Sequence, residues 1–157
     1  MKYIYKLLLI ILLTKNLFCF DYSYEGNFES EFIKIETPDN KKYNILINRG
    51  AWRDSFGDIG TAFCHGKVET LITGKFNLEV VCENKNEKNE KFWILFFRER
   101  GDQGGGVGKA RFLNGTGKYI HLIGQDCTFV ARYFNKVNFH KHKCKIDDEK
   151  YKKIVNQ

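Results

Sequence analysis

The stretch Gly104–Phe129 reads GGGVGKARFLNGTGKYIHLIGQDCTF, and how it is parsed decides the fold. Val107 to Leu113 has the composition of a strand, and a second strand runs from about His121 to Tyr133. Between them Asn114-Gly115-Thr116-Gly117-Lys118-Tyr119 reads as a tight corner. Glycine suits such a corner because it reaches positive φ without steric cost and lets two backbones approach closely. Gly104 to Ala110 also invites a phosphate-loop reading, and spacing rejects it. The glycine that motif needs five residues before Gly108 is Gln103, and the hydroxyl residue after its lysine is Ala110. The stretch is therefore architectural, a bend between two neighbouring strands.

Working outward, Arg100 to Gly106 is a glycine-rich turn. It follows Phe92 to Arg98 (FWILFFR), the most apolar run outside the N-terminus. That run is too short to span a bilayer and reads as a strand, either buried on both sides or carrying an aromatic outer face. Before it come the polar tip Glu83–Lys91 and a strand over Lys75–Glu83, whose Phe76, Leu78, Val80 and Cys82 share one face. Thr61–Val68 is a further strand. Arg49–Gly60 (RGAWRDSFGDIG) breaks the alternation and reads as a structured loop. Lys42–Asn48, with Tyr43, Ile45 and Ile47 on one face, pairs through the Thr37-Pro38-Asp39-Asn40 turn with a strand over about Asn27–Glu36. After the opening stretch, Lys136–Cys144 is the eighth strand. Asp147–Val155 has acids first and lysines last, the charge order of a short helix. Eight short strands with little helix make an all-β chain, a sandwich or closed barrel. A single antiparallel eight-stranded barrel is preferred, because closure removes exposed strand edges.

The N-terminus stands apart. Lys2 and Lys6 precede Leu7–Leu13 (LLLIILL), which is shorter than the roughly 20 apolar residues of a membrane span. The pattern is that of a secretory signal peptide over residues 1–19, cut after Cys19. Lipidation of Cys19 is the rival reading, disfavoured by the bulk of Phe18. The expected organisation is a signal peptide (1–19), a β-barrel domain (20–146) and a polar C-terminal tail (147–157), with a secreted or periplasmic location and no transmembrane span. Cleavage removes Lys2, Lys6 and Lys15 and no acid, so the formal charge falls from +7 to +4. With no recognition motif for RNA or DNA, that charge gives no reason to expect nucleic acid.

Four cysteines remain after such a cut: Cys64, Cys82, Cys127 and Cys144. An even number in an exported domain reads as two disulfides. Of the three pairings, Cys64–Cys82 and Cys127–Cys144 are preferred, because each pair lies symmetrically about a turn, at Thr73-Gly74 and at Asn135-Lys136. Zinc is disfavoured, because no C-x-x-C spacing occurs.

The corner carries a resemblance. Gly115-Thr116-Gly117-Lys118-Tyr119 followed by Gly124 resembles the G-T-G-K-[FY]-x4-G pattern of allene-oxide-cyclase-like and dirigent-like barrels of the calycin type. The four-residue spacer Ile120-His121-Leu122-Ile123 is bulkier than that pattern usually carries. The resemblance covers about ten residues. It implies an eight-stranded barrel with this segment turning near one end, and an interior that holds a hydrophobic ligand. It assigns no catalytic residue here.

The remaining chemistry is sparse. His140 and His142 stand at i and i+2 on one strand face, a spacing compatible with a metal given a third ligand such as His121 or His65. Their neighbours Lys141, Lys143 and Lys145 oppose a cation, so no metal is assigned. Asp54 with Asp58, or the Glu83–Glu87 group, could offer oxygens to calcium, but neither matches an EF-hand loop and a solvated turn is preferred. Trp52, Trp93 and Phe97 are the candidate ligand-binding residues, as walls of an open barrel, against the competing reading that they belong to the core. No Ser-His-Asp or Cys-His set is legible, so catalysis is left open with a lean against it, and no cofactor is expected. The expected function is an exported barrel that binds a small hydrophobic ligand or a macromolecular partner. The alternatives are a dirigent- or cyclase-like enzyme, and an inhibitor or envelope structural protein.

Overall fold

The computed structural model describes residues 19–38, 42–71, 73–102 and 104–157. All but the last residue of the expected signal peptide lie outside them. Eight strands follow in order: β1 (Cys19–Glu36), β2 (Lys42–Asp54), β3 (Ile59–Thr70), β4 (Phe76–Asn86), β5 (Lys91–Gly101), β6 (Gly105–Gly115), β7 (Asp126–Phe134) and β8 (Val137–Asp147). Each pairs antiparallel with the next, and β1 closes the barrel against β8, from Cys19 opposite Asp147 to Glu29 opposite Val137.

Side-chain alternation selects the inner face of each strand. On β4 the inward set is Phe76, Leu78, Val80, Cys82, Asn84 and Asn86. On β5 it is Phe92, Ile94, Phe96 and Arg98. β1 contributes Tyr22, Tyr24, Phe28 and Ser30, and β8 contributes Asn138, His142, Cys144 and Ile146. The FWILFFR run is thus a strand with an aromatic outer face, because Trp93 and Phe97 alternate with the buried set. The Tyr43-Ile45-Ile47 face of β2 points outward, since Leu46 and Asn48 take the interior.

Three stretches differ from expectation. β1 begins at Cys19, well before Asn27. Arg49–Gly60 is mostly strand, and only the Ser55–Asp58 turn interrupts it. The alternation fails to the eye there because position 50 is glycine, and the β1 backbone at Asn27 and Phe28, with the Phe28 ring, occupies the space a side chain would take. The opening corner is a 3-10 helix, Gly117–Leu122, with β7 starting only at Asp126. Gly117 begins that helix at φ +53, and a Cβ there would collide with the Glu90 carboxylate. The burial of two side chains accounts for the helix: Tyr119 and, from the spacer, Leu122 turn inward and are fully buried across the barrel end, while Ile120 and Ile123 stay exposed.

Both expected disulfides form. Cys64–Cys82 joins opposed positions of β3 and β4, and Cys127–Cys144 joins β7 to β8. Cys19 is a free, exposed thiol. The tail forms helix α1 (Asp148–Val155), capped by the Asp147 carboxylate, which accepts from Lys150 N–H at 2.8 Å. Ile154 buries against the barrel, and Tyr151 stacks on Phe20 at 4.3 Å.

Candidate functional site

The two ends of the barrel are built differently. One end is plugged. The 3-10 helix lies across it, α1 packs beside it, and Phe56 extends the stack from Phe20 to Tyr22. Beneath the plug the Tyr119 hydroxyl donates to Asp58 Oδ2 at 2.6 Å, and its oxygen lies 3.1 Å from Asp54 Oδ2. Asp54 Oδ1 accepts from the backbone N–H of Phe56 and of Asp58, at 3.0 and 3.1 Å, and so shapes the β2–β3 turn. Asn86 does the same for the β4–β5 turn, accepting from Lys88 and Glu90 N–H, and also donates to Asp58. Lys118 closes the group with an ion pair to Asp58 at 2.5 Å.

Burial pushes the Asp54 carboxyl up to about 6, opposed by the Asp58 N–H bond and reinforced by the charge of Asp58. Desolvation also acts to raise Asp58, but Lys118, Tyr119 and Asn86 outweigh it and hold that carboxyl below its ordinary value. One tyrosine proton cannot serve two carboxylates. Protonated Asp54 can itself donate to the Tyr119 oxygen, which fits the direction of its shift. The cluster is a fastening for three turns, with its polar groups engaged on one another.

The opposite end is a mouth of about 500 Å³. Phe32, Ile35, Val68, Phe76, Leu78 and Tyr133 supply its apolar wall, with Lys34, Glu36 and Lys42 at the edge, the last two an ion pair at 3.8 Å. Beneath it lies a small cavity of about 30 Å³, bounded by Phe28, Asn48, Phe96, Phe129, Asn138 and His140. That is room for a water or two, not for a drug-sized molecule. Leu78 and Tyr133 line both spaces, so the cavity is the floor of the mouth.

The floor is polar. Ser30 donates to Asn48 at 2.7 Å, and Tyr24 donates to Asn84 at 2.9 Å. His142 stacks on Tyr24 at 4.5 Å and His140 on Phe129 at 5.3 Å, with His140 Nε2 lying 3.4 Å from His142 Nδ1. Burial lowers the His140 pKa to about 3 and drives that of His142 well down, so both rings are neutral near pH 7. Arg98 is only 6 % exposed. Its guanidinium lies 4.4 Å from the Phe76 ring centroid, and only a long 3.4 Å contact from Nη2 to the Asp102 carbonyl is made. Its Nε and Nη1, like Asn138 Oδ1 and His142 Nε2, find no partner among the described residues.

Of the residues singled out from sequence, Trp52 lies inside the barrel toward the plugged end, 3 % exposed, its indole donating to the Thr61 carbonyl. Trp93 faces outward and donates to Glu83, and Phe97 is also on the outer wall. None of the three lines the mouth. His140 and His142 are brought together inside the barrel, whereas His65 is on the outer face and His121 is in the 3-10 helix. Among the described residues no group of three His, Cys, Asp or Glu gathers as a metal site, and no helix is long and apolar enough to cross a membrane. Arg98 escaped attention, although the period of two through Phe92, Ile94 and Phe96 points straight to it.

A larger groove of about 1200 Å³ runs over the outer wall across Gly26, Ala51 and Gly60, where the strands carry little side chain. It is shallow and edged by charges such as Glu25, Arg53 and Lys141, which pair with one another. Compared with known proteins, the chain matches no family model, no curated protein and no solved structure.

Proposed function

We propose that this barrel is a binding protein for a small apolar-bodied ligand taken up at the mouth between Phe32 and Tyr133. One observation carries the reading: the described residues plug the barrel at one end and leave a concave, apolar and accessible surface at the other, with a polar floor beneath. Pockets that bind small molecules combine an apolar wall with a few convergent polar groups in this way, and 500 Å³ falls within their usual size range. The depth of the barrel is otherwise filled by aromatic side chains, so the ligand sits in the mouth. The relationship to allene-oxide-cyclase-like barrels belongs to the same proposal, as does export through residues 1–19, with which two disulfides are compatible.

Titrating the protein with octanol while following backbone amide chemical shifts tests the reading. Shifts confined to the surroundings of Phe32, Val68, Phe76 and Tyr133 are expected. Shifts confined to the outer wall, or none at millimolar octanol, would remove it.

A second reading rests on a separate observation. Phe139, Val130 and Ile59 are 49 %, 45 % and 61 % exposed along the outer groove. Apolar side chains edging a groove of that size favour a macromolecular partner, as an inhibitor or envelope protein would need. Phe139→Glu, which places a charge on the groove, leaves octanol binding intact under the first reading and abolishes partner capture under the second.

A further inference from the structure

The guanidinium of Arg98 is difficult to explain as structure alone. It is a cation more than nine-tenths buried, projecting from β5 into the floor of the mouth. Two of its nitrogens have no partner among the described residues. Glu99, next in sequence, is exposed on the outer side, and the Asp102 carboxylate attracts Arg98 only at a distance because it pairs with Lys75, so that its backbone carbonyl alone meets the guanidinium. Leaving a buried charge without an opposite charge or a full set of hydrogen bonds costs several kcal/mol, so an unpaired arginine at such a place is normally selected against.

The surroundings are shaped to hold this group. A side chain at Gly101 would overlap Arg98 Nε, and one at Gly106 would overlap Nη1, so both positions leave room for the guanidinium. Phe76 lies under its plane and fixes its orientation. Asn138 and Tyr133 border the same space. The Asn138 amide oxygen, also without a partner, exchanges place with Nδ2 by a half-turn of the amide and then offers a second donor. Apolar side chains Phe32, Ile35, Val68 and Leu78 continue outward from this point to solvent.

We infer that the mouth takes an organic carboxylate, with its anionic head on Arg98 and its apolar body along Phe32, Ile35, Val68 and Phe76. This rests on the ligand-binding reading above and names the chemistry of its ligand. A guanidinium presents parallel N–H donors at the spacing of the two carboxylate oxygens, and such pairs are both strong and orienting. The charge left unpaired in the free protein is thereby neutralised on binding, which makes the site selective against neutral analogues of equal length.

Isothermal titration with octanoate and with octanol separates the two claims, using the full chain, Arg98→Met and Arg98→Lys. The wild type is expected to bind octanoate about ten- to a hundredfold more tightly than octanol, the worth of one charged hydrogen-bonded contact. Arg98→Met should erase that gap and keep octanol binding, and Arg98→Lys should keep part of the gap. Thermal unfolding checks the variants, and Arg98→Met should melt no lower than wild type because it removes an uncompensated charge. Equal binding of octanoate and octanol by the wild type, or a gap unchanged in Arg98→Met, overturns the carboxylate assignment and leaves the apolar ligand standing. Failure of both probes to bind the wild type overturns both.

Discussion

The plugged end and the mouth are two answers to one problem, how to finish the end of a closed sheet. At the plugged end every turn is tied to another. Asp54 shapes one turn, Asn86 shapes the next, and Tyr119, descending from the 3-10 helix, bridges Asp54 and Asp58. Charges there are matched, as Lys118 is by Asp58. At the mouth two nitrogens of a buried guanidinium find no hydrogen-bond partner among the described residues, and apolar side chains stay in contact with water. The contrast separates what the fold needs from what it can spare. Polar groups that fasten loops are spent on one another, and those left over mark where another molecule fits.

The largest effect that could break this contrast is at the plug. Tyr119→Ala removes a fully buried ring and the bridge between two aspartates. It should lower stability by about 3–5 kcal/mol in urea unfolding. A loss below about 1 kcal/mol would mean that the end is not held by this residue.

The next two predictions differ in sign with pH. His140 has a folded pKa of about 3 against about 6.5 unfolded, because burial disfavours its charge. The unfolded chain therefore binds the proton first, and stability is lost as pH falls from 6.5 toward 3, by about 1.4 kcal/mol per unit for this one ring. His140→Phe, which keeps a ring beside Phe129 and Phe96, should flatten this part of the profile of melting temperature against pH. His142 and Tyr24, the neighbouring titratable groups, stay in place. Asp54 runs the other way. Its folded pKa of about 6 lies above the ordinary 3.8, so the folded chain holds a proton that the unfolded chain has released. Stability falls as pH rises from about 4 to 6, by up to about 1.4 kcal/mol per unit. Asp54→Asn keeps the turn-shaping oxygen and should melt higher than wild type at pH 8 and no higher at pH 4. A variant that melts lower at pH 8 would show that the Asp54 charge supports the plug instead.

The smallest effect sharpens the comparison from the other side. Phe32 is 44 % exposed at the rim of the mouth. Phe32→Ser should change stability by no more than about 0.5 kcal/mol, as surface substitutions usually do, while weakening octanol binding. A calorimetric titration beside a melting curve reads both. Equal octanol affinity in variant and wild type would place the ligand elsewhere.

Much of the barrel was legible because strand alternation is a short-range signal. Phe76, Leu78, Val80 and Cys82 point inward as their spacing says, and both disulfides follow from cysteines placed symmetrically about turns. The acids-then-lysines order of the tail gives a capped helix. What misled was local pattern rewritten by distant packing. Arg49–Asp54 loses its alternation because Asn27 and Phe28, from the neighbouring strand, fill the space above Gly50. His121 reads as strand, yet Tyr119 and Leu122 gain more by burying across a barrel end, which no local window reveals. Trp93 and Phe97 drew attention by size, whereas parity puts Arg98 inside. Which end stays open depends on where the 3-10 helix lands, a property of the assembled sheet.

The nearest-neighbour order of the strands has a kinetic consequence. Seven of the eight pairings are hairpins between consecutive strands, and both disulfides lie within such hairpins. The closing pair, with Cys19 opposite Asp147, joins the two extremes of the domain and carries no covalent staple. Loop-closure entropy and long sequence separation make that pairing the slow one. Oxidation rigidifies the arcs of the wall and shortens the span between the ends by two short loops, which changes the closure entropy little because that cost grows only with the logarithm of length. The reduced and oxidised chains should therefore zip the β1–β8 seam at similar rates, even though they differ in how long the finished barrel survives.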